Sequence, residues 1–310
     1  MTRHFLTITD VSERELRGLL QEAARIKRSR RYGRHALANR LVALVFQKPS
    51  MRTRVAFEVA VLQLGGSVIY LGQDDIQLGQ REPIKDVARV LSRYVDGIVV
   101  RTFAHRDAQE CAKFARIPVI NGLSDLVHPC QALADLFTLE EHFGSLKGLS
   151  LAYVGDGNNV LHSLVEGCAS VGVTVAVATP HEHRPDASIW KAAVRRAKAH
   201  GGSLRWEADP RSAVRGADVV YTDVWVSMGQ ESERRRRVKI FRPYQLNRRL
   251  LKHAKPGCRI MHCLPAHRGE EITDEVMESP RSLIFKQAEN RLHVQKALLM
   301  FLLKQQKGAR

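Results

Sequence analysis

The sequence predicts an α/β protein with two domains, each a parallel β-sheet flanked by helices, joined by interdomain helices. Three observations carry that expectation. Short apolar runs bounded by turn residues alternate with longer stretches whose apolar residues recur at helical spacing, the pattern of repeated strand-helix units. The 310 residues exceed one ordinary domain, and a content of 44% apolar with 26% charged residues belongs to a globular chain that can bury two cores. No apolar run approaches the roughly 20 residues of a membrane-spanning helix, the longest being 297–303.

The first helix is expected over 12–28, with Thr9 or Asp10 as its cap and Leu16, Leu19, Leu20 and Ala23 on one side. The apolar run 41–46 reads as a buried strand. Gln47, Lys48 and Pro49 break it, and Val55, Val59 and Leu62 then recur at helical spacing. At such a strand-to-helix junction the first backbone N–H groups lack internal partners and the helix dipole points its positive end outward, so an anion is favoured. Ser50 and Thr53 add hydroxyls there, and Arg52 and Arg54 add forked guanidinium donors suited to phosphate oxygens. The stretch 50–54 therefore reads as a phosphate cradle without a Walker lysine, or else as a solvent-facing basic turn.

A strand at 67–71, a polar loop at 72–83 containing Gln77, a helix at 84–94 and a strand at 97–101 follow. Ligands of parallel sheets gather at the carboxyl ends of strands, where Arg101 sits. After a strand at 118–121 and a loop at 122–127, His128-Pro129-Cys130-Gln131 opens a helix over 129–143, with proline at its first turn. His128 can donate to a carbonyl oxygen and Gln131 can hold an amide group, although a capping histidine is the plainer reading.

The stretches Ser50-Met51-Arg52-Thr53-Arg54 and His128-Pro129-Cys130-Gln131, in that order, resemble the aspartate and ornithine carbamoyltransferase family. The resemblance implies that Ser50, Met51, Arg52 and Thr53 grip the phosphate of carbamoyl phosphate. Arg101, His128, Pro129, Cys130 and Gln131 would hold its carbamoyl group, and Gln77 would reach into a neighbouring subunit's site. One departure is visible: Met51 stands where the family usually has threonine, which keeps the backbone donor and loses a hydroxyl.

In the second half, a strand at 149–154 runs into Gly155-Asp156-Gly157-Asn158-Asn159-Val160 and a helix through Ala169. The stretch looks like a dinucleotide fingerprint, but Val160 replaces its third glycine and no acidic residue ends the next strand, 174–178. A nicotinamide cofactor is therefore disfavoured. Asn158 and Asn159 can instead offer amides to a zwitterionic amino acid, and Asn159 matches an ornithine-binding asparagine of the family. A basic helix at 185–200 is assigned no chemistry. A strand at 217–222 delivers Asp223 to its end, where a carboxylate suits an ammonium group, and the segment 223–231 suits a mobile loop. That segment resembles the ornithine branch, which implies that Asp223 meets the side-chain amine while Ser227 and Met228 cover the other end of ornithine. The last strand, 259–262, leads into His262-Cys263-Leu264-Pro265-Ala266-His267-Arg268-Gly269-Glu270-Glu271-Ile272-Thr273. By the same resemblance Cys263 and Leu264 lie at the substrates. Arg291, near the start of a final helix over 287–303, matches the last carbamoyl phosphate contact.

The expected domains are 1–139, with 288–310 packing back on it, for carbamoyl phosphate, and 140–287 for ornithine. The reaction implied is direct attack of the ornithine amine on the carbamoyl carbon, giving citrulline and phosphate in arginine biosynthesis. It would use no cofactor, no metal and no covalent enzyme intermediate, with Arg52, Arg101, His128, Asp223 and Cys263 as its catalytic residues. The family also implies a homotrimer, or a multiple of trimers, with shared sites. An acylated ornithine or aspartate as acceptor remains open, as does an inactive member that binds nucleic acid or protein.

The 49 Lys and Arg exceed the 32 Asp and Glu, a net charge of +17 that would suit nucleic acid or the steering of anionic substrates. The densest basic run, 234–237, has no interleaved aromatics and is expected as a solvated loop, so nucleic acid is disfavoured as a partner. Five cysteines without CxxC spacing read as free thiols and disfavour zinc. With no signal-peptide pattern over 1–10, a soluble cytoplasmic protein without membrane partners is expected.

Overall fold

The computed structural model describes residues 2–29 and 31–303. The chain divides into two compact units, one made of the residues up to 137 with those from 290 onward, the other of Thr138–Glu289. Each is built on a parallel sheet. In the first unit the strands are β1 (Leu41–Phe46), β2 (Ser67–Leu71), β3 (Gly97–Arg101) and β4 (Val119–Leu123), ordered β2-β1-β3-β4. In the second they are β5 (Ser150–Val154), β6 (Thr174–Ala178), β7 (Leu204–Glu207), β8 (Val219–Thr222) and β9 (Arg259–His262), ordered β7-β6-β5-β8-β9.

Parallel strands covered by helices on both faces need apolar residues at every position, which is why β1 is a continuous apolar run with Val42 to Phe46 all buried. Its register is fixed on both sides, Leu44 lying opposite Tyr70 of β2 and Val99 of β3. Buried Asp96 secures the start of β1, accepting from the Leu41 N–H at 2.9 Å and from Arg40 Nη1 at 2.6 Å. Helix Glu13–Arg28 begins on a capping box in which Ser12 and Glu15 each satisfy the other's backbone N–H, so Ser12 caps it rather than Thr9 or Asp10. In the second unit the core gathers Ala152, Val154, Val220, Ile260, Ile272 and Ile284. All five cysteines are free and buried, and burial pushes the Cys111 and Cys130 thiols up to about 12. No helix among the described residues is long and apolar enough to cross a membrane.

Several elements escaped the sequence pattern, among them a helix, an edge strand and the basic run. Helix His105–Phe114 buries His105, Ala108, Cys111 and Ala112, so after its first residue only small side chains carry its inner face. Strand β7 is a four-residue edge whose Leu204 and Trp206 alternate with charged residues. The run 234–237 is not a solvated loop. It opens helix Arg234–Phe241, where a helical turn carries Arg237 inward to 4% exposure.

The glycines after β5 serve packing. A Cβ on Gly157 would lie 2.4 Å from both the Arg184 carbonyl carbon and the His183 carbonyl oxygen, and the Gly157 N–H donates to that same oxygen at 3.0 Å. Two backbones approach closely here, and only a residue without a side chain allows it. Gly157→Ala should destabilise the protein by about 2 kcal/mol or more through forced displacement of residues 183–184, measured by chemical denaturation.

Candidate active site

In both sheets the chain first adds strands on one side of its opening strand and then crosses to the other. The connections leaving the two central strands diverge, and open α/β sheets bind ligands at that switch point. In the first unit the switch lies between β1 and β3, in the second between β5 and β8. The residues that follow these strands are the ones singled out above.

After β1, Ser50 caps helix Met51–Gln63, its Oγ accepting from the Thr53 N–H at 3.3 Å. Met51 is 70% exposed and Arg52 half-buried. Thr53 is fully buried, and its Oγ1 accepts from Arg291 Nη2 at 2.7 Å and from Arg101 Nη1 at 3.5 Å. A hydroxyl that accepts twice keeps its own proton to donate. Arg54 turns elsewhere, donating to Glu58 at 2.8 Å and lying 3.6 Å from the Tyr70 ring centroid. The stretch 50–54 is thus neither a wholly solvent-facing turn nor a cradle of every residue proposed for it.

Arg101 ends β3 at a register shift against β4, and it is 4% exposed with no hydrogen-bond partner for its Nε. Burial, with Arg291 and Arg52 close by, pushes its guanidinium down to about 10. Beyond β4, helix Pro129–Phe143 carries His128 at its threshold and Gln131 in its first turn. Burial holds the His128 imidazole well below its ordinary range, and Arg291, Arg101, Arg52 and Lys48 push the same way. It is a neutral group at pH 7. Gln131 donates from Nε2 to Asp135 at 2.8 Å and leaves Oε1 buried without a hydrogen-bond partner, an acceptor fit for an amide N–H. Pro129 is buried, and buried Cys130 donates its thiol to the Asn121 carbonyl at 3.4 Å. Gln77 stands apart, exposed and in the left-handed region at φ 44.

Lys48 was passed over in the sequence as part of a strand breaker. It is 7% exposed with Nζ 4.6 Å from the Phe103 ring centroid, and burial together with Arg101 pushes it down to about 8, against the pull of Asp125. The available signal was its place two residues before the Ser50 cap.

The second unit has the opposite character. Asp223, leaving β8 at 3% exposure, accepts from Asn158 Nδ2 at 2.7 Å and from the Cys263 thiol at 2.9 Å. Asn158 reaches it while capping helix Asn159–Val171, its Oδ1 accepting from the Val160 and Leu161 N–H groups. Half-buried Asn159 is the first residue of that helix. Ser227 and exposed Met228 lie in a turn closed by a 3.0 Å bond from the Gln230 N–H to the Ser227 carbonyl. Leu264 follows Cys263 with φ 58, and its N–H donates at 2.8 Å to His262 Nδ1. Asp223, His262 and Cys263 can each offer a ligand atom within 4.8 Å of the others, so this group could also hold a metal ion.

Two family models match. Residues 3–141 fit the aspartate/ornithine carbamoyltransferase carbamoyl-P binding domain, and residues 147–302 fit the Asp/Orn binding domain of the same family. This chain belongs to the aspartate/ornithine carbamoyltransferase family. Among relatives, the ornithine carbamoyltransferase of Thermococcus kodakarensis is 52% identical over 303 residues, which cover 97% of this chain and 96% of that protein. A Pyrococcus furiosus protein named ornithine carbamoyltransferase, anabolic, is similar to the same degree, again 52% over 97% and 96% of the two chains. The solved ornithine carbamoyltransferase of Pyrococcus furiosus superposes with a TM-score of 0.95 at 51% identity, covering 99% of this chain and 98% of that one.

In this family member the basic run supplies an internal support. Arg237 donates from Nε to the Trp225 carbonyl at 2.5 Å, and its Nη2 pairs with Asp156, which follows β5. Burial pushes Asp156 up to about 7 although Arg237 opposes the shift. Arg237→Met should cost about 3 kcal/mol, because the partner carboxylate stays buried. The sign with pH follows from Asp156. Its folded pKa lies above its unfolded value, so its contribution to stability falls as pH rises from the ordinary carboxylate range to about 7, and removing Arg237 extends that loss to higher pH. Denaturation should therefore show a larger penalty at pH 8 than at pH 5.

Proposed function

We infer that the chain is an ornithine carbamoyltransferase, converting carbamoyl phosphate and L-ornithine to L-citrulline and phosphate in arginine biosynthesis. The observation that carries this reading is the contrast between the two switch points, one lined by guanidiniums and a neutral imidazole, the other by a buried carboxylate. A doubly charged acyl phosphate suits the first. An acceptor with a cationic side chain suits the second, whereas aspartate would bring a further carboxylate toward Asp223.

Carbamoyl phosphate is held by the start of helix Met51–Gln63 and by Arg52, Thr53, Arg101 and Arg291. His128, kept neutral, donates to the carbamoyl oxygen, and Gln131 Oε1 accepts from the carbamoyl amide. Asn159, Asp223, Ser227 and Met228 receive ornithine. The neutral side-chain amine attacks the carbamoyl carbon, the new C–N bond forms, and the C–O bond to phosphate breaks. The proton lost by the attacking nitrogen passes to the departing phosphate, which also takes the electron pair of the broken bond. An alkyl ammonium titrates near ~10.4, so the amine must shed a proton before attack. Asp223 orients the amine more than it deprotonates it, since a carboxylate favours the ammonium form, and Cys263 holds Asp223 in place through its thiol. Fixed guanidiniums stabilise charge on the departing phosphate without reorganising. The cytoplasmic location and the homotrimer in which Gln77 completes a neighbour's site are part of the same proposal, and the exposure of Gln77 suits them.

The deciding assay offers carbamoyl phosphate with L-ornithine, N-acetyl-L-ornithine, N-succinyl-L-ornithine or L-aspartate and detects each carbamoylated product. Turnover with L-ornithine alone is expected; preference for any other acceptor would overturn the assignment of the second site. Lys48 gives a pH test of the first. It is cationic below its folded value of about 8 and neutral above it, so the Kd for carbamoyl phosphate should rise between pH 7.5 and 9.5. Lys48→Met should flatten that rise, as read by calorimetric titration across the range.

A further inference from the structure

Glu271 is fully buried, and its two carboxylate oxygens have unequal company. Oε1 accepts from the His267 backbone N–H at 2.5 Å and meets His262 Nε2 at 3.1 Å. Oε2 has no hydrogen-bond partner among the described residues, and the same holds for two other enclosed atoms, His267 Nδ1 and Glu270 Oε2. His267 Nδ1 lies 3.8 Å from Glu271 Oε2, and one ligand atom from each of the three residues lies within 4.8 Å of the others. An enclosed acceptor without a donor costs roughly 1–3 kcal/mol, and more when it is charged. Two such carboxylate oxygens and an imidazole nitrogen lying this close together favour a cation there.

The backbone holds them in place. The Glu270 N–H donates to the His267 carbonyl at 2.9 Å and the Gly269 N–H to the Ile272 carbonyl at 2.9 Å, with Gly269 at φ 91 making the reversal. Gln245 Nε2 bonds the Gly269 and Glu270 carbonyls, each at 2.9 Å. Arg234 engages Glu270 through Oε1, which leaves Oε2 to the cluster.

We propose that His267, Glu270 and Glu271 form a site for one divalent transition-metal ion of the zinc class. One imidazole and two carboxylates are an ordinary zinc donor set, with a fourth position for water. Bonds of about 2.1 Å separate tetrahedral ligand atoms by roughly 3.4 Å, so the half-buried His267 and Glu270 side chains rotate inward while Glu271 stays fixed. The ion is structural. It ties the turn 267–271 to the end of β9, because Glu271 bonds His262 and His262 Nδ1 accepts from the Leu264 N–H.

The test must separate this site from the neighbouring Asp223, His262 and Cys263, so it uses chelator-stripped Cys263→Ser protein titrated with Zn2+ against a chromophoric chelator. One zinc per chain and a raised Tm are expected. Adding His267→Ala and Glu270→Gln in that background should weaken zinc at least about tenfold and abolish the Tm rise. Less than one zinc per Cys263→Ser chain, or unchanged affinity after the two further substitutions, would overturn the proposal. Should Cys263→Ser fail to fold, the unmodified protein gives the same decision with Co2+. A first equivalent whose spectrum lacks thiolate-to-cobalt charge transfer supports the site, and a first equivalent that shows it refutes it.

Discussion

Parallel strand pairing is the constraint on which everything else in this molecule depends. A parallel neighbour can be reached only through a crossover, so every strand ends at the same side of its sheet and every strand-to-helix connection leaves from there. Where the chain changes direction beside its first strand, two such connections part. That single topological event occurs once in each unit. Register matters equally, since a one-residue slip of β3 would move Arg101 off the end that faces the Ser50 cap and swap the sheet face to which each of its side chains points.

The two switch points hold charge in opposite ways. The first gathers Arg52, Arg101, Arg291 and Lys48 in a desolvated space, where burial first and the neighbouring cations second push Arg101, Lys48 and His128 below their ordinary ranges. An anion placed among them would relieve the repulsion between these cations. The second crowds carboxylates, raising Asp156 partly through its proximity to Asp223, and counters them with Arg237, an asparagine amide and a thiol.

Much of this was legible in the sequence. The run 41–46 read as a buried strand, and Ser50, His128 and Asp223 could be placed at connections because turn residues and apolar periodicity show where strands stop. Pairing across long separations was not legible. Thr53 meets Arg291 238 residues away, and Arg237 meets Asp156 81 residues away. Spacing along a chain says nothing of such partners, so Arg237 read as one more solvated charge and Gly157 as a defective nucleotide motif. Helix His105–Phe114 and strand β7 escaped for another reason, since small or alternating residues give a weak periodic signal.

The burial of all five thiols has a practical consequence for chemical labelling. Alkylating reagents attack thiolates, and the Cys111 and Cys130 thiols stay protonated at any ordinary working pH while every cysteine is sterically enclosed. The native chain is therefore a quiet background for spectroscopy. A cysteine introduced at an exposed position such as Met51 or Met228 would carry a fluorophore or spin label selectively.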